Sequence, residues 1–199
     1  MTGTLPAWLA QLPNLRLLGL NDNALSGTIG LLAEGAPSLA YFNVQRNKFV
    51  GSIPAAIGRM TALTYLALSI NLVRTRYGYR GAFARSDKHA IHSATRQLSG
   101  TIPAELGQLT ALTVLAITKS RITGTLPTEM GQLTKMDYMV IGDNLLEGPL
   151  PASWGNMTNL WFAALYNNGF SGTLPPEWSG MTSLAYLCVP VLAASMRTR

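Results

Sequence analysis

Residues 112–132 read LTVLAITKSRITGTLPTEMGQ, and most of the chain is this stretch copied. From Leu112 the pattern is L-x-x-L-x-I-x-x-S-x-I-T-G-T-L-P-x-E-M-G-x-L-x-x. The next copy starts 24 residues on, at Met136, and others start at Leu160 and Leu184. Upstream, units start at Leu15, Leu39 and Leu63, and Gly3-Thr4-Leu5-Pro6 matches the second half of a further unit. A fixed period of this size means stacked supersecondary units rather than one globular pattern.

Each position has a physical role. In Leu160-Trp-Phe-Ala163-Ala-Leu165, apolar residues two apart line one face of a strand. An Asn follows, where its side chain can bond backbone groups left unpaired as the chain turns inward. Ser171-Gly172 reads as a flexible turn, and Pro175 as a stop to further pairing. Trp178 and Met181 bring apolar surface back beneath the core. One unit cannot bury its own face, so neighbours must stack. The expected fold is an α/β solenoid: a curved, right-handed horseshoe with a parallel sheet on the concave face and irregular or 3-10 turns on the convex face. Its strands are predicted to centre on Leu18–Leu20, Phe42–Val44, Leu66–Leu68, Leu115–Ile117, Met139–Ile141 and Ala163–Leu165. The chain reads as one domain over residues 1–199, of about seven turns, with both ends cutting through a repeat as in a piece of a longer protein.

The Asn position holds Asn23, Asn47, Asn71, Ser120, Asn144 and Asn168, and the proline position holds Pro54, Pro103, Pro127, Pro151 and Pro175. Gly30 stands at the proline position of the first full unit, whose return segment, 30–38, departs most from the pattern. One spacing is also irregular. Leu63 to Leu112 is 49 residues, two periods plus one, and the excess is 73–97, an insertion of 25 residues without repeat core positions. It is expected to leave the solenoid as a basic loop. Three accounts of it stand open: a ligand-binding island, a polyanion-binding arm, and a former repeat read out of frame.

The formal charge of +6 does not mark a nucleic-acid binder. The insertion carries Arg74, Arg76, Arg80, Arg85, Lys88 and Arg96 against Asp87, and the tail adds Arg197 and Arg199. Subtracting these from the totals of 15 basic and 9 acidic residues leaves 7 and 8 on the repeats. A nearly neutral solenoid presents no basic stripe. Cys188 is the only cysteine, so no internal disulfide is possible. The first residues lack the basic and apolar regions of a signal peptide. No run approaches the roughly 20 apolar residues of a membrane span.

The pattern at Leu63–Asn71, continued by Leu98–Leu109, resembles the plant-specific class of leucine-rich repeats, L-x-x-L-x-L-x-x-N-x-L-S-G-x-I-P-x-x-L-G-x-L. That class occurs in receptor-like kinase ectodomains. Gly172-Thr-Leu-Pro-Pro-Glu-Trp178-Ser-Gly-Met181-Thr-Ser-Leu184 looks more like the repeats of kinetoplastid surface antigens, echoed by Pro151-Ala-Ser-Trp154 and Leu5-Pro-Ala-Trp8. The resemblance implies extracellular or cell-surface display and a protein, peptide or glycan partner.

Little in the chain points to catalysis. His89 and His92 are spaced for one helical turn, but a metal site needs three or four ligands. Ser86, Asp87, His89 and Ser93 are triad residue types on one stretch without a scaffold. No enzyme, cofactor or metal is therefore expected. Asn156-Met157-Thr158 is an N-glycosylation sequon. The candidate binding residues lie on the concave face. The position before the second core residue of each strand reads Leu17, Tyr41, Tyr65, Val114, Tyr138, Phe162 and Tyr186, an expected near-continuous ladder of rings. Beside it runs a small or apolar column (Gly19, Asn43, Ala67, Ala116, Val140, Ala164), then a polar one (Asn21, Gln45, Ser69, Thr118, Gly142, Tyr166). Tyr41, Tyr65, Tyr138, Phe162, Tyr166 and Tyr186 are the candidates. Two functions stand open: a non-enzymatic binding module, or a surface-antigen or structural solenoid without a defined ligand.

Overall fold

A computed structural model of the chain describes residues 1–30, 36–69 and 98–190. The insertion at 73–97, with its two histidines, and Asn71 lie outside the described residues, as do 31–35 of the irregular return segment.

Seven short strands form one parallel sheet: Leu17–Gly19, Tyr41–Asn43, Tyr65–Ala67, Val114–Ala116, Tyr138–Val140, Phe162–Ala164 and Tyr186–Cys188. They stack in sequence order, so each neighbour in space is a neighbour along the chain. The insertion does not disturb this. Tyr65 pairs with Val114 and Leu66 with Leu115, as if the two units were adjacent in sequence. The strands begin one residue earlier than the pattern predicts. The third core residue lies just past each strand but stays bonded: Leu68 N–H donates to Ala116 O at 2.8 Å and Ile141 N–H to Ala164 O at 2.8 Å.

The leucines, isoleucines and methionines of the pattern are the core. Leu66, Leu68, Leu112, Leu115, Ile117, Met136, Met139 and Ile141 are all fully buried in one continuous cluster. Among the described residues, each proline of the pattern is followed by a 3-10 turn, as in Ala104–Gln108, Thr128–Gln132 and Ala152–Asn156. Proline fits there because its fixed φ suits the turn entry and the position needs no amide donor. The inward residue of the turn changes along the chain, from Ile57 through Leu106 and Met130 to Trp154 and Trp178. The last two rings stack at 6.1 Å, and each indole N–H donates to the carbonyl of the preceding unit's proline, Pro127 and Pro151. Leu5-Pro-Ala-Trp8 does not repeat this. Leu9 is the buried residue there, and Trp8, one place early, is 57% exposed.

The stretch expected to be a plain turn holds a second set of parallel strands. Thr2–Thr4, Ala24–Gly27 and Lys48–Phe49 form one sheet, and Ser99–Gly100, Arg121–Gly124, Leu145–Pro149 and Gly169–Ser171 form another. A bridge between Gly51 and Leu98 links them across the insertion. The recurrent glycine sits at the end of this pairing with positive φ, +80° at Gly100 and +78° at Gly124, where an L side chain is strained. The next residue, Thr or Ser, rests against the following unit's glycine: a Cβ on Gly124 would stand 3.0 Å from the Thr101 methyl. The glycine of the 3-10 turn answers a different need. A Cβ on Gly58 would stand 2.7 Å from the Glu105 carbonyl oxygen, so this position sets how closely successive turns stack.

Candidate ligand-binding face

The outward column of the concave sheet is in register as expected, but its rings form two stacks instead of one ladder. Tyr41 and Tyr65 stack at 4.4 Å and 17°. Tyr138 and Phe162 stack at 4.6 Å and 12°, and Tyr186 lies 5.9 Å beyond Phe162, tilted by 38°. Val114 stands between, paired with Tyr65 on one side and Tyr138 on the other. A branched aliphatic side chain cannot continue a ring stack, so the column divides there. Adjacent strands roughly 4.8 Å apart set the ring spacing directly. The rings are half-buried by one another, except Tyr186, which is 55% exposed. The Tyr41 hydroxyl accepts from the Asn43 amide at 3.2 Å, tying the first stack to the next column.

Tyr166, from the third column, is placed by a contact the column order does not show. Gly142 occupies the same position one strand earlier, and a Cβ there would stand 2.6 Å from the Tyr166 ring. The ring therefore lies back across the Gly142 backbone, a close approach that glycine alone permits. Burial pushes the Tyr166 phenol up to about 12, and Asp143, Cys188 and Tyr138 push in the same direction. Trp161 completes the cluster. It is 46% exposed, meets Tyr186 edge-on at 4.9 Å and lies 6.2 Å from Phe162. Its position holds Arg16, Ala40, Thr64, Thr113, Asp137 and Ala185 in other units. A lone tryptophan beside an aromatic column was the available signal for it.

A titration prediction follows from Tyr166. Its folded pKa is raised, so the neutral phenol favours the folded state. That contribution is fully present below the unfolded value near 10 and is lost as pH rises from about 10 towards 12. Melting temperature measured at pH 9 and pH 11 should fall more in the wild type than in Tyr166→Phe. Equal falls would show that another group governs the alkaline loss.

Around the face, the groups that could act chemically are few. Asp22 and Arg46, in adjacent units, pair at 2.9 Å with both side chains about half exposed, a geometry worth little in water. Asn167 donates to the buried Asp143 carboxylate at 2.8 Å. Among the described residues, no group of three or more His, Cys, Asp and Glu is placed to hold a metal ion. No described helix is long and apolar enough to cross a membrane.

These features define a leucine-rich-repeat solenoid with an aromatic concave face, and comparison with known proteins places it beside plant receptor ectodomains. The leucine-rich-repeat ectodomain of the membrane receptor kinase GASSHO1/SCHENGEN3 from Arabidopsis thaliana, solved with CASPARIAN STRIP INTEGRITY FACTOR 2, superposes with a TM-score of 0.79 at 27% identity. The match covers 95% of this chain and 20% of that one. The ectodomain of the Arabidopsis receptor kinase HAESA, bound to an IDA peptide hormone, superposes at 0.71 and 26% identity over 94% of this chain and 32% of that one. Receptor like protein 23 of Arabidopsis thaliana is 43% identical over 54 residues, 26% of this chain and 6% of its own length. The chain thus spans 20% and 32% of those two ectodomains and 6% of that receptor-like protein. No family model matches it.

Proposed function

We propose that the chain is a non-enzymatic binding module that receives an extended protein or peptide segment on its concave sheet. The observation that carries this reading is the pair of half-exposed aromatic stacks, Tyr41 with Tyr65 and Tyr138 with Phe162, the second extended by Tyr186 and Trp161. Large rigid rings give contact area at low entropy cost and are enriched at binding hot spots. The stacked rings cover one another's faces and offer mainly their edges. That geometry suits apolar side chains and backbone groups better than a sugar ring, which packs on an aromatic face. The likeness to ectodomains solved with peptide hormones supports the same partner class. The likeness to receptor proteins supports display outside the cell, within a longer protein.

The competing account is that cross-strand stacking only stabilises the sheet, in a surface or structural solenoid without a ligand. A double variant separates the two. Peptides selected from a random displayed library against the wild-type chain should lose at least about 30-fold in affinity to Tyr65→Ala/Tyr138→Ala, near 2 kcal/mol. The melting temperature should fall by only a few degrees. Unchanged peptide affinity alongside a large drop in melting temperature would make the stacks structural and move the site elsewhere.

A further inference from the structure

The sequon Asn156-Met157-Thr158 arises from one change in the repeat. The turn exit reads Gly107-Gln108-Leu109-Thr110 and Gly131-Gln132-Leu133-Thr134 in the two preceding units, then Gly155-Asn156-Met157-Thr158. The threonine that ends each tetrapeptide is a repeat residue, so Asn for Gln alone creates the motif, and no other Asn in the chain stands two residues before Ser or Thr. Asn156 closes the 3-10 turn Ala152–Asn156. The backbone there is the same as in its neighbour: Thr158 N–H donates to Asn156 O at 2.9 Å, and Thr134 N–H to Gln132 O at 2.9 Å. Asn156 and Thr158 are both exposed, while Met157 between them is buried and anchors the turn. Neither exposed side chain forms a hydrogen bond among the described residues.

The surroundings leave room. In the next unit the matching residue is Gly180, the last of the turn Pro176–Gly180, which carries no side chain to crowd Asn156. The concave rings belong to the strand Phe162–Ala164, reached only after the chain has turned through Leu160. A glycan on Asn156 therefore stands at the turn exit and not on the aromatic stacks.

We infer that Asn156 is an N-glycosylation site. In the transfer, the Asn156 carboxamide nitrogen forms a bond to C1 of the first sugar of a polyprenyl-diphosphate-linked oligosaccharide. The C1–oxygen bond to the diphosphate breaks, the lipid diphosphate leaves with that electron pair, and the amide nitrogen gives up one proton. No oxidation or reduction occurs. Thr158 supplies the hydroxyl the transferase reads two residues on. The site rests on the cell-surface reading above, and the test supplies its own leader so that the two fail separately.

The full chain, preceded by a cleavable secretory leader, is translated with microsomes, and the protease-protected product is treated with an endoglycosidase that removes N-linked glycans. The expected result is one sensitive glycan in the wild type, lost in Asn156→Gln and in Thr158→Ala. Gln132→Asn, which builds the same motif on the same turn geometry one unit earlier, should add a second. A protected wild-type product without a sensitive glycan would overturn the assignment, and so would a shift that survives Asn156→Gln.

Discussion

Leu115→Asp should abolish folding of the central solenoid. Leu115 is fully buried, between Leu66 and Met139 in the parallel register. No cationic side chain belongs to the continuous apolar cluster around it. A carboxylate placed there either stays charged without a partner or takes up a proton, and both cost several kcal/mol. A whole domain is held by roughly 5–15 kcal/mol, so the substitution removes a large share of it. The position magnifies the effect. In a stacked array each unit is stabilised by its two neighbours, and this one joins the units on either side of the insertion. Circular dichroism should show loss of most ordered signal and no cooperative melt near the wild-type temperature. Val114→Asp is the control. It lies one residue away on the outward face, is only half-buried, and should melt within a few degrees of the wild type. A Leu115→Asp chain with wild-type signal and melting would mean that the inward and outward positions have been exchanged.

That contrast also marks what the sequence makes legible. Inward and outward positions follow from alternation along a strand, and the 24-residue period copies them from unit to unit. The period therefore aligns Leu66, Leu115 and Met139 even across the 49-residue interval, as the strand register has them. Features set by contacts between units were harder to read. Ser99–Gly100 is two residues long and carries a turn signature, yet it pairs because stacking lays it beside Arg121–Gly124. Trp8 resembles Trp154 by composition, but one missing residue after Pro6 turns it outward. Val114 was visible in the aromatic column, and its effect, dividing the stack, depends on side-chain shape. The fold of Tyr166 over Gly142 depends on an absent Cβ in the neighbouring unit. Along the face, the column of candidates is readable; the grouping of Tyr138, Phe162, Tyr186 and Trp161 is not.

Asn144→Ala should be the most damaging conservative truncation among the polar residues. The Asn144 amide donates to Ile117 O at 2.7 Å, in the preceding unit, and also reaches Ile141 O at 3.3 Å and Gly142 O at 3.2 Å. Its carbonyl accepts from Ile122 N–H at 3.4 Å, again in the preceding unit. One buried side chain thus satisfies backbone groups on both sides of a unit boundary, which sheet and turn pairing leave over. Asn47 and Asn168 repeat the arrangement, with Asn47 donating to Leu20 O at 2.7 Å and Asn168 to Ile141 O at 2.9 Å. At Ser120 the shorter side chain donates, among the described residues, to Thr118 O at 3.3 Å, within its own unit. Alanine at 144 leaves a buried donor and at least one buried acceptor without partners, at about 1–3 kcal/mol each. The expected loss is about 3 kcal/mol, read as a lower denaturation midpoint with little change in slope. Asn23→Ala should cost far less. Asn23 is only partly buried, and its carbonyl accepts from the exposed amino terminus of Met1 at 2.7 Å. If the two variants lose the same stability, the asparagine column acts through local turn preference. A loss confined to Asn144→Ala places its effect in the bridges between successive units.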